Sequence, residues 1–305
     1  MRKLRLYFTM FFSIFFLSAL VVDTLAQSSI LNTSEKDNNR NAPVIIGTRM
    51  PNNMESFRLF KELKLGNGIL TFLPEDKQEI LSMAKFCREN QIYLNFWEVV
   101  YRGSDQLGYG WGKKVPLEKY FSKKEFDSFI DEAGPYYLGR YVTGEIGLVL
   151  YGPENYEVEW SGSGRAWQNL PTVNTMEEAK NAYIDYAQQR FDFESKISKG
   201  PLINIDAGMT FKYRTSTDKL TLESMPGDPH LMHASIRGAA RAFNKPWGTH
   251  IAMHNYGGVS LDELWQKRWK TSLYYPYICG SQFILKETPP INYSQRPGDP
   301  WRDFY

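Results

Sequence analysis

Short apolar runs alternate with amphipathic segments along the chain from Pro43 onward. The short runs have the length and the flanking Gly, Pro and polar residues that are typical of buried strands. We predict eight strands, over residues 44–47, 69–73, 92–100, 136–145, 202–206, 219–223, 248–254 and 281–287. Strands that alternate with helices indicate a parallel sheet.

Between most of these runs, apolar residues recur at the spacing of a helix face. The predicted helices cover residues 54–65, 75–90, 123–133, 176–199, 229–243 and 261–273. Ser122 and Glu125 form a capping-box pattern at the start of one of them. Eight strands with intervening helices predict an α/β fold, the (β/α)8 TIM barrel.

Two places depart from a complete barrel pattern. The segment between the fifth and sixth strands is short for a helical crossover, so residues 219–223 are either a sixth strand or one arm of a loop hairpin. After the last strand a Pro-rich tail follows instead of a closing helix. We therefore predict a barrel domain over residues 43–305 with two alternatives for its C-terminal end: the tail packs across the barrel in a different way, or the barrel is truncated and incomplete at its C-terminal helix.

The N-terminus has the pattern of a secretory signal peptide. A basic start is followed by an apolar run over residues 7–22, and then by Thr24-Leu25-Ala26 as a cleavage site. That run is short for a membrane span, which needs roughly 20 residues. We predict a signal peptide over residues 1–26, a flexible linker over 27–42, and export to the periplasm or the cell exterior without a stable membrane span.

Composition limits the classes of function. The chain has 305 residues, of which 42% are hydrophobic, so it can build one large core. A net charge of +2 without a basic stripe argues against nucleic acid as a partner. Of the two cysteines, Cys87 lies on an apolar helix stripe and is expected to pack in the core. A disulfide between Cys87 and Cys279 is the open alternative.

Candidate chemistry lies where predicted strands end. Glu145, Glu223 and Glu287 each close a strand-like run. In a parallel barrel the carboxyl ends of all strands meet at one mouth, where active sites lie. Carboxylates gathered in that way are the groups that hydrolyse glycosidic bonds.

The chain resembles secreted bacterial glycoside hydrolases built on the TIM barrel. The resemblance rests on three segments within about residues 43–290, and it is to the superfamily as a whole. They are Tyr141-Val142-Thr143-Gly144-Glu145-Ile146-Gly147, the run Arg237 to Gly248, and Gly280 to Glu287. It implies a carbohydrate substrate, no cofactor, and Glu145 in the place of the acid/base glutamate that follows the fourth strand.

The partner of Glu145 stays open between Glu223 and Glu287. If residues 219–223 form the sixth strand, Glu287 lies on the eighth; otherwise it lies on the seventh. Predicted substrate contacts share positions at strand ends and in the following loops, and they are Trp97, Glu98, Asp206, His254, Asn255 and Tyr256.

A metal site is not predicted, because no zinc pattern such as His-Glu-x-x-His occurs. The alternative function is a non-catalytic carbohydrate-binding or scaffold protein on a degenerate or truncated barrel. The oligomeric state is not predicted.

Overall fold

Eight parallel strands close into a barrel in chain order, and β8 pairs with β1. The computed structural model describes residues 43–74, 76–97, 122–142, 172–197, 199–206, 211–224, 227–252 and 265–287. The strands are β1 (Ile45–Arg49), β2 (Gly68–Thr71), β3 (Tyr93–Phe96), β4 (Tyr137–Val142), β5 (Leu202–Asp206), β6 (Lys219–Ser224), β7 (Trp247–Ile251) and β8 (Phe283–Lys286). The predicted TIM barrel is confirmed.

Helices follow most of the strands. In the described ranges they are α1 (Met54–Glu62), α2 (Lys77–Glu89), α3 (Lys123–Ala133), α4 (Met176–Ile197), α5 (Pro229–Ala242) and α6 (Trp265–Cys279). The predicted capping box of α3 is present, since the Ser122 side chain accepts from the Glu125 N–H and the Glu125 carboxylate accepts from the Ser122 N–H. Between β5 and β6 the described residues contain a short 3-10 turn, Lys212–Arg214.

Residues 219–223 belong to a true strand of the barrel, not to a hairpin arm. β6 pairs in parallel with β5 on one side and with β7 on the other. Glu287 therefore follows the eighth strand, and the open alternative that placed it on the seventh is wrong.

Several predicted boundaries are also wrong, and the third strand ends at Phe96 where residue 100 was predicted. The last helix was expected over residues 261–273, but α6 continues through Pro276 to Cys279. An interior proline removes one intrahelical hydrogen bond and crowds the carbonyl of the preceding turn, so it is an unusual residue at this place. β7 ends at Ile251 and not at residue 254.

Some predictions lie outside the described residues, namely the signal peptide, the linker and the tail after residue 287. No helix within the described ranges is long and apolar enough to cross a membrane.

The core has two layers, one between strands and helices and one inside the barrel. Cys87 on α2 is fully buried in the outer layer, as its place on the apolar stripe predicts. Cys87 and Cys279 are both free thiols, so the alternative of a disulfide between them is wrong. The inner layer is formed by the side chains Ile45, Leu70, Leu138, Tyr141, Ile203, Ile205, Phe283 and Leu285. Successive strand residues point to opposite faces, so alternate positions of β5 and β8 enter this layer. In β4 a register shift against β3 breaks the alternation, and Leu138 and Tyr141 both enter the layer.

Lys219 is a charged residue at the amino-terminal end of the barrel. Its Nζ donates a hydrogen bond to the backbone oxygen of Leu138 on β4. Burial lowers the pKa of Lys219 to about 8, although the neighbouring Asp218 acts in the opposite direction.

The glycine at position 47 is required by the close approach of β1 and β2. A Cβ at Gly47 would lie 1.6 Å from the backbone oxygen of Gly68. We expect Gly47→Ala to lower the free energy of unfolding by about 2–3 kcal/mol, because strand backbones must separate to admit the methyl group. Gly238→Ala is the matched control, since a Cβ at this exposed site on α5 meets nothing within 4 Å. It should raise stability by about 0.5–1 kcal/mol. Equal effects of the two substitutions in denaturant titrations would contradict this packing.

Lys219 predicts a specific dependence of stability on pH. Between about pH 8 and 10.5 the unfolded chain holds the lysine proton and the folded chain does not. The free energy of unfolding should therefore rise with pH through this window relative to a variant without the group. We expect Lys219→Met to remove that rise, while Lys124→Met on the exposed face of α3 retains it. Guanidinium titrations at pH 7.5 and 9.5 measure how much the free energy of unfolding changes between the two pH values. If this change is the same in Lys219→Met as in the wild type, the prediction is refuted.

Candidate active site at the carboxyl ends of the strands

Three ionisable side chains meet at the mouth of the barrel, and we call Glu223, His250 and Glu287 the mouth triad. Glu223 lies near the end of β6, His250 lies in β7 in register with Glu223, and Glu287 directly follows β8. One ligating atom from each of the three lies within 4.8 Å of the other two. All three are buried, with exposed fractions of 5%, 0% and 5%.

The triad faces the barrel interior, as the contacts of His250 show. The centre of its ring lies 4.7 Å from the ring centre of Trp97, which follows β3, and 5.5 Å from the ring centre of Tyr141 on β4. Because β7 pairs only with β6 and β8, contacts with β3 and β4 must cross the interior. The imidazole is therefore enclosed by aromatic rings on one side and carboxylates on the other.

Arg49 lies at the same mouth, at the end of β1. Its guanidinium carbon lies 5.5 Å from the ring centre of Phe72 and 5.6 Å from that of Trp97. These are cation–π distances. Trp97 thus connects the Arg49 cation to the His250 imidazole, and it remains only partly buried.

His250 is held in its neutral form. Burial lowers the pKa of its imidazole; the carboxylate of Glu287 acts to raise it and the charge of Arg49 to lower it further. The Nε2 atom lies 3.8 Å from Oε2 of Glu287, beyond hydrogen-bond distance. Within the part of the chain that the structure describes, neither ring nitrogen has a hydrogen-bond partner.

Tyr141 is the second buried polar group against the triad. Burial is the main cause that raises the pKa of its phenol, and the charges of Glu223 and Glu287 raise it further. The phenol therefore stays protonated at any physiological pH. A neutral tyrosine at this place can donate a hydrogen bond toward a carboxylate or a ligand oxygen.

The structure brings together only some of the predicted site residues. Trp97, Glu223 and Glu287 meet at the mouth, and Trp97 lies inside the barrel and not between barrel and helices. Asp206 is the last residue of β5, in register with Leu222, and its role as a substrate contact stays a prediction. The remaining predicted site residues lie outside the described residues, and they are Glu98, Glu145, His254, Asn255 and Tyr256.

His250, Tyr141 and Arg49 are functional candidates that the sequence analysis did not select. The sequence signal that could have found them is the alternation of inward-facing and outward-facing side chains along each strand. His250 lies in register with Glu223 on the neighbouring strand, and Tyr141 occupies an interior position of β4. A single histidine within an apolar strand is usually a core residue, so the pattern alone did not single it out.

The chain is similar to known structures in fold alone. No family model and no curated protein matches it. Among solved structures, it is similar to the citrate synthase SbnG, with 8% identity over 83% of this chain and 91% of that chain and a TM-score of 0.36 for a variant. It is also similar to Gas2 of Saccharomyces cerevisiae, with 10% identity over 81% of this chain and 57% of that chain and a TM-score of 0.44. Sequence identities and TM-scores this low say nothing about the chemistry at the mouth of the barrel.

Trp97 should stabilise the mouth through its ring contacts. We expect Trp97→Leu to lower the free energy of unfolding by about 1–3 kcal/mol, because it removes the aromatic pairs with Tyr141 and His250 and the cation–π contact with Arg49. Trp97→Phe keeps a ring and should lose less than half as much. Urea titrations measure both, and equal losses would show that the ring contacts contribute nothing beyond apolar area.

Proposed function

We propose that this chain is an exported glycoside hydrolase that cleaves O-glycosidic bonds in oligo- or polysaccharides with two carboxylates. The observation that carries the proposal is the approach of Glu223 and Glu287 to within 4.8 Å inside the mouth of a TIM barrel. Barrel mouths are the sites of catalysis in this fold, and paired carboxylates are the usual groups for glycoside hydrolysis.

One oxygen of Glu223 lies within 4.8 Å of one oxygen of Glu287, and this short separation favours a two-step reaction with retained configuration. Retaining enzymes hold their carboxyl groups about 5–5.5 Å apart, and inverting enzymes about 6.5–9.5 Å apart to admit a water molecule. In the first step one carboxylate attacks the anomeric carbon while an acid protonates the leaving oxygen. In the second step the same acid, now a base, takes a proton from the water that hydrolyses the ester.

We assign the attacking role to Glu287. Its carboxylate lies beside the neutral imidazole of His250, whose N–H can donate to an ionised oxygen after a small rotation. The charge of Glu223 raises the pKa of the Tyr141 phenol more than that of Glu287 does, and we take Glu223 as the first choice for the acid.

Glu145 is the second choice for the acid, on the sequence pattern. The resemblance to barrel glycoside hydrolases implies an acid/base glutamate after the fourth strand, and Glu145 is the first glutamate that follows β4 in the chain.

Sugar binding would use the exposed part of Trp97. An indole that is partly open at a barrel mouth presents a flat apolar surface to the C–H face of a sugar ring. Export rests on the N-terminal pattern of residues 1–26, and it suits a substrate that is a polymer outside the cell.

The test is hydrolysis by the mature chain of a panel of polysaccharides, with reducing ends measured, followed by Glu→Gln substitutions. We expect Glu287→Gln to lower turnover by at least ~10⁴-fold on every substrate, because the attacking group is lost. The variant that removes the acid should lose about 10²–10⁴-fold on natural glycosides. It should lose far less on aryl glycosides whose leaving group needs no proton.

That contrast assigns the acid between Glu223 and Glu145, since each is replaced in turn. Glu89→Gln, on the exposed end of α2, is the control and should leave turnover unchanged. Circular dichroism confirms that each variant is folded. Glycan binding without any released sugar, or full activity in Glu287→Gln, would overturn the proposal.

A further inference from the structure

We propose that the mouth triad is a binding site for one divalent transition-metal cation of the Zn²⁺ class. Glu223 and Glu287 each offer a carboxylate oxygen and His250 offers a ring nitrogen. Imidazole nitrogen and carboxylate oxygen are both ligand atoms of zinc, and three protein ligands leave a fourth position for water or another ligand. Hard cations such as Mg²⁺ prefer oxygen donors alone, so the imidazole favours Zn²⁺ and similar first-row ions such as Co²⁺.

The distances fit a cation after small adjustments. Zinc lies about 2.0–2.2 Å from nitrogen and oxygen ligands, which places ligand atoms roughly 3.4 Å apart in a tetrahedral site. The ligating atoms of the triad lie within 4.8 Å of one another, and the pair from His250 and Glu287 lies 3.8 Å apart. Rotation about the terminal carboxylate bonds, which are soft torsions, closes the remaining gaps.

His250 provides an observation that is independent of the acidic pair. Its imidazole is 0% exposed, it faces both carboxylates, and neither ring nitrogen has a hydrogen-bond partner among the described residues. Buried polar groups of this kind nearly always have a partner, and an unsatisfied one calls for an explanation. A cation between the three side chains would supply that partner to one nitrogen.

The backbone of the site is fixed. Glu223 and His250 occupy paired positions of β6 and β7, and the Glu287 N–H donates to the Ile251 oxygen over 3.0 Å. Ligands that stand on paired strands require little reorganisation on binding. Arg49 lies at the same mouth, 5.6 Å from the Trp97 ring that contacts His250, and its positive charge would oppose a metal cation there.

The cation would also control hydrolysis, and this part rests on the proposed function. A carboxylate that ligates a metal cannot attack the anomeric carbon or carry the acid proton. Zn²⁺ should therefore inhibit glycoside hydrolysis at the concentration at which it fills the triad, and a chelator should restore the rate.

The experiment titrates the chelator-treated full chain with Zn²⁺ by calorimetry and with Co²⁺ by visible absorption. We expect one cation per chain from the triad and d–d bands typical of a low-coordinate Co²⁺ site. Glu223→Gln, His250→Gln and Glu287→Gln should each weaken binding by about 100-fold or more, since even outer-shell partners of metal ligands contribute ~10–100-fold. Arg49→Gln should tighten metal binding, because it removes a positive charge from the mouth.

His230→Gln is the matched control, because this exposed imidazole on α5 bonds to Tyr275 and does not belong to the mouth triad. Loss of binding in His230→Gln, or its persistence in all three triad variants, would show adventitious surface binding and overturn the proposal. Absence of binding to the wild-type chain would do the same.

A second readout covers the case in which His250→Gln does not fold. The chain has four histidines, so imidazole NMR signals can be followed one by one in the wild type. Co²⁺ should shift or broaden the His250 signal first and leave His230 and His233 unaffected. The reverse order would refute the site.

Each of the two proposals, the glycosidase and the cation site, can be refuted without refuting the other. Hydrolysis by a chain that binds no metal refutes the cation site and leaves the glycosidase intact. One-to-one binding by a chain that releases no sugar refutes the glycosidase and leaves the cation site intact.

Discussion

Closure of the barrel is the constraint on which the site depends. Only a closed ring lets β7 reach β3 and β4 across its interior, and the rings of His250, Trp97 and Tyr141 meet there. Close strand packing is possible because glycines occupy interior positions: a Cβ at Gly248 would lie 2.2 Å from the ring of Phe283. The large side chains of the interior thus fill the space that the glycines leave, and the mouth residues rest on a filled layer.

Charge is distributed unevenly along the barrel axis. Lys219 lies at the amino-terminal end, apolar side chains fill the middle, and Glu223 and Glu287 lie at the carboxyl end with His250 between them. Electrostatic interactions are stronger in such an enclosed, poorly hydrated interior than in water. The two carboxylates therefore respond strongly to whichever positive group comes nearest, whether a proton, a guanidinium, a developing oxocarbenium ion or a metal.

The sequence predicted the elements well because their signals are local. The capping box at Ser122 and the apolar stripe that holds Cys87 each depend on a few neighbouring residues, and both were confirmed. The extent of α6 was predicted wrongly: the helix continues past residue 273 and includes Pro276, a residue that is disfavoured in helix interiors. The status of residues 219–223 as a strand depends on pairing with β5 and β7, which is a long-range property that no local pattern contains.

The candidate site residues likewise fall into two groups, those that a local pattern reveals and those that depend on strand pairing. Strand ends are visible in the sequence, so Glu223 and Glu287 could be selected, but their separation depends on the register of β6 to β8 around the ring. His250 shows why: it looks like a core histidine in its own strand, and only the neighbouring strand places Glu223 beside it. Once these three side chains share one pocket, proton chemistry and metal binding draw on the same oxygen lone pairs. The imidazole can support either use, by donating to an ionised carboxylate or by ligating a cation, and the two states exclude each other at the same atoms.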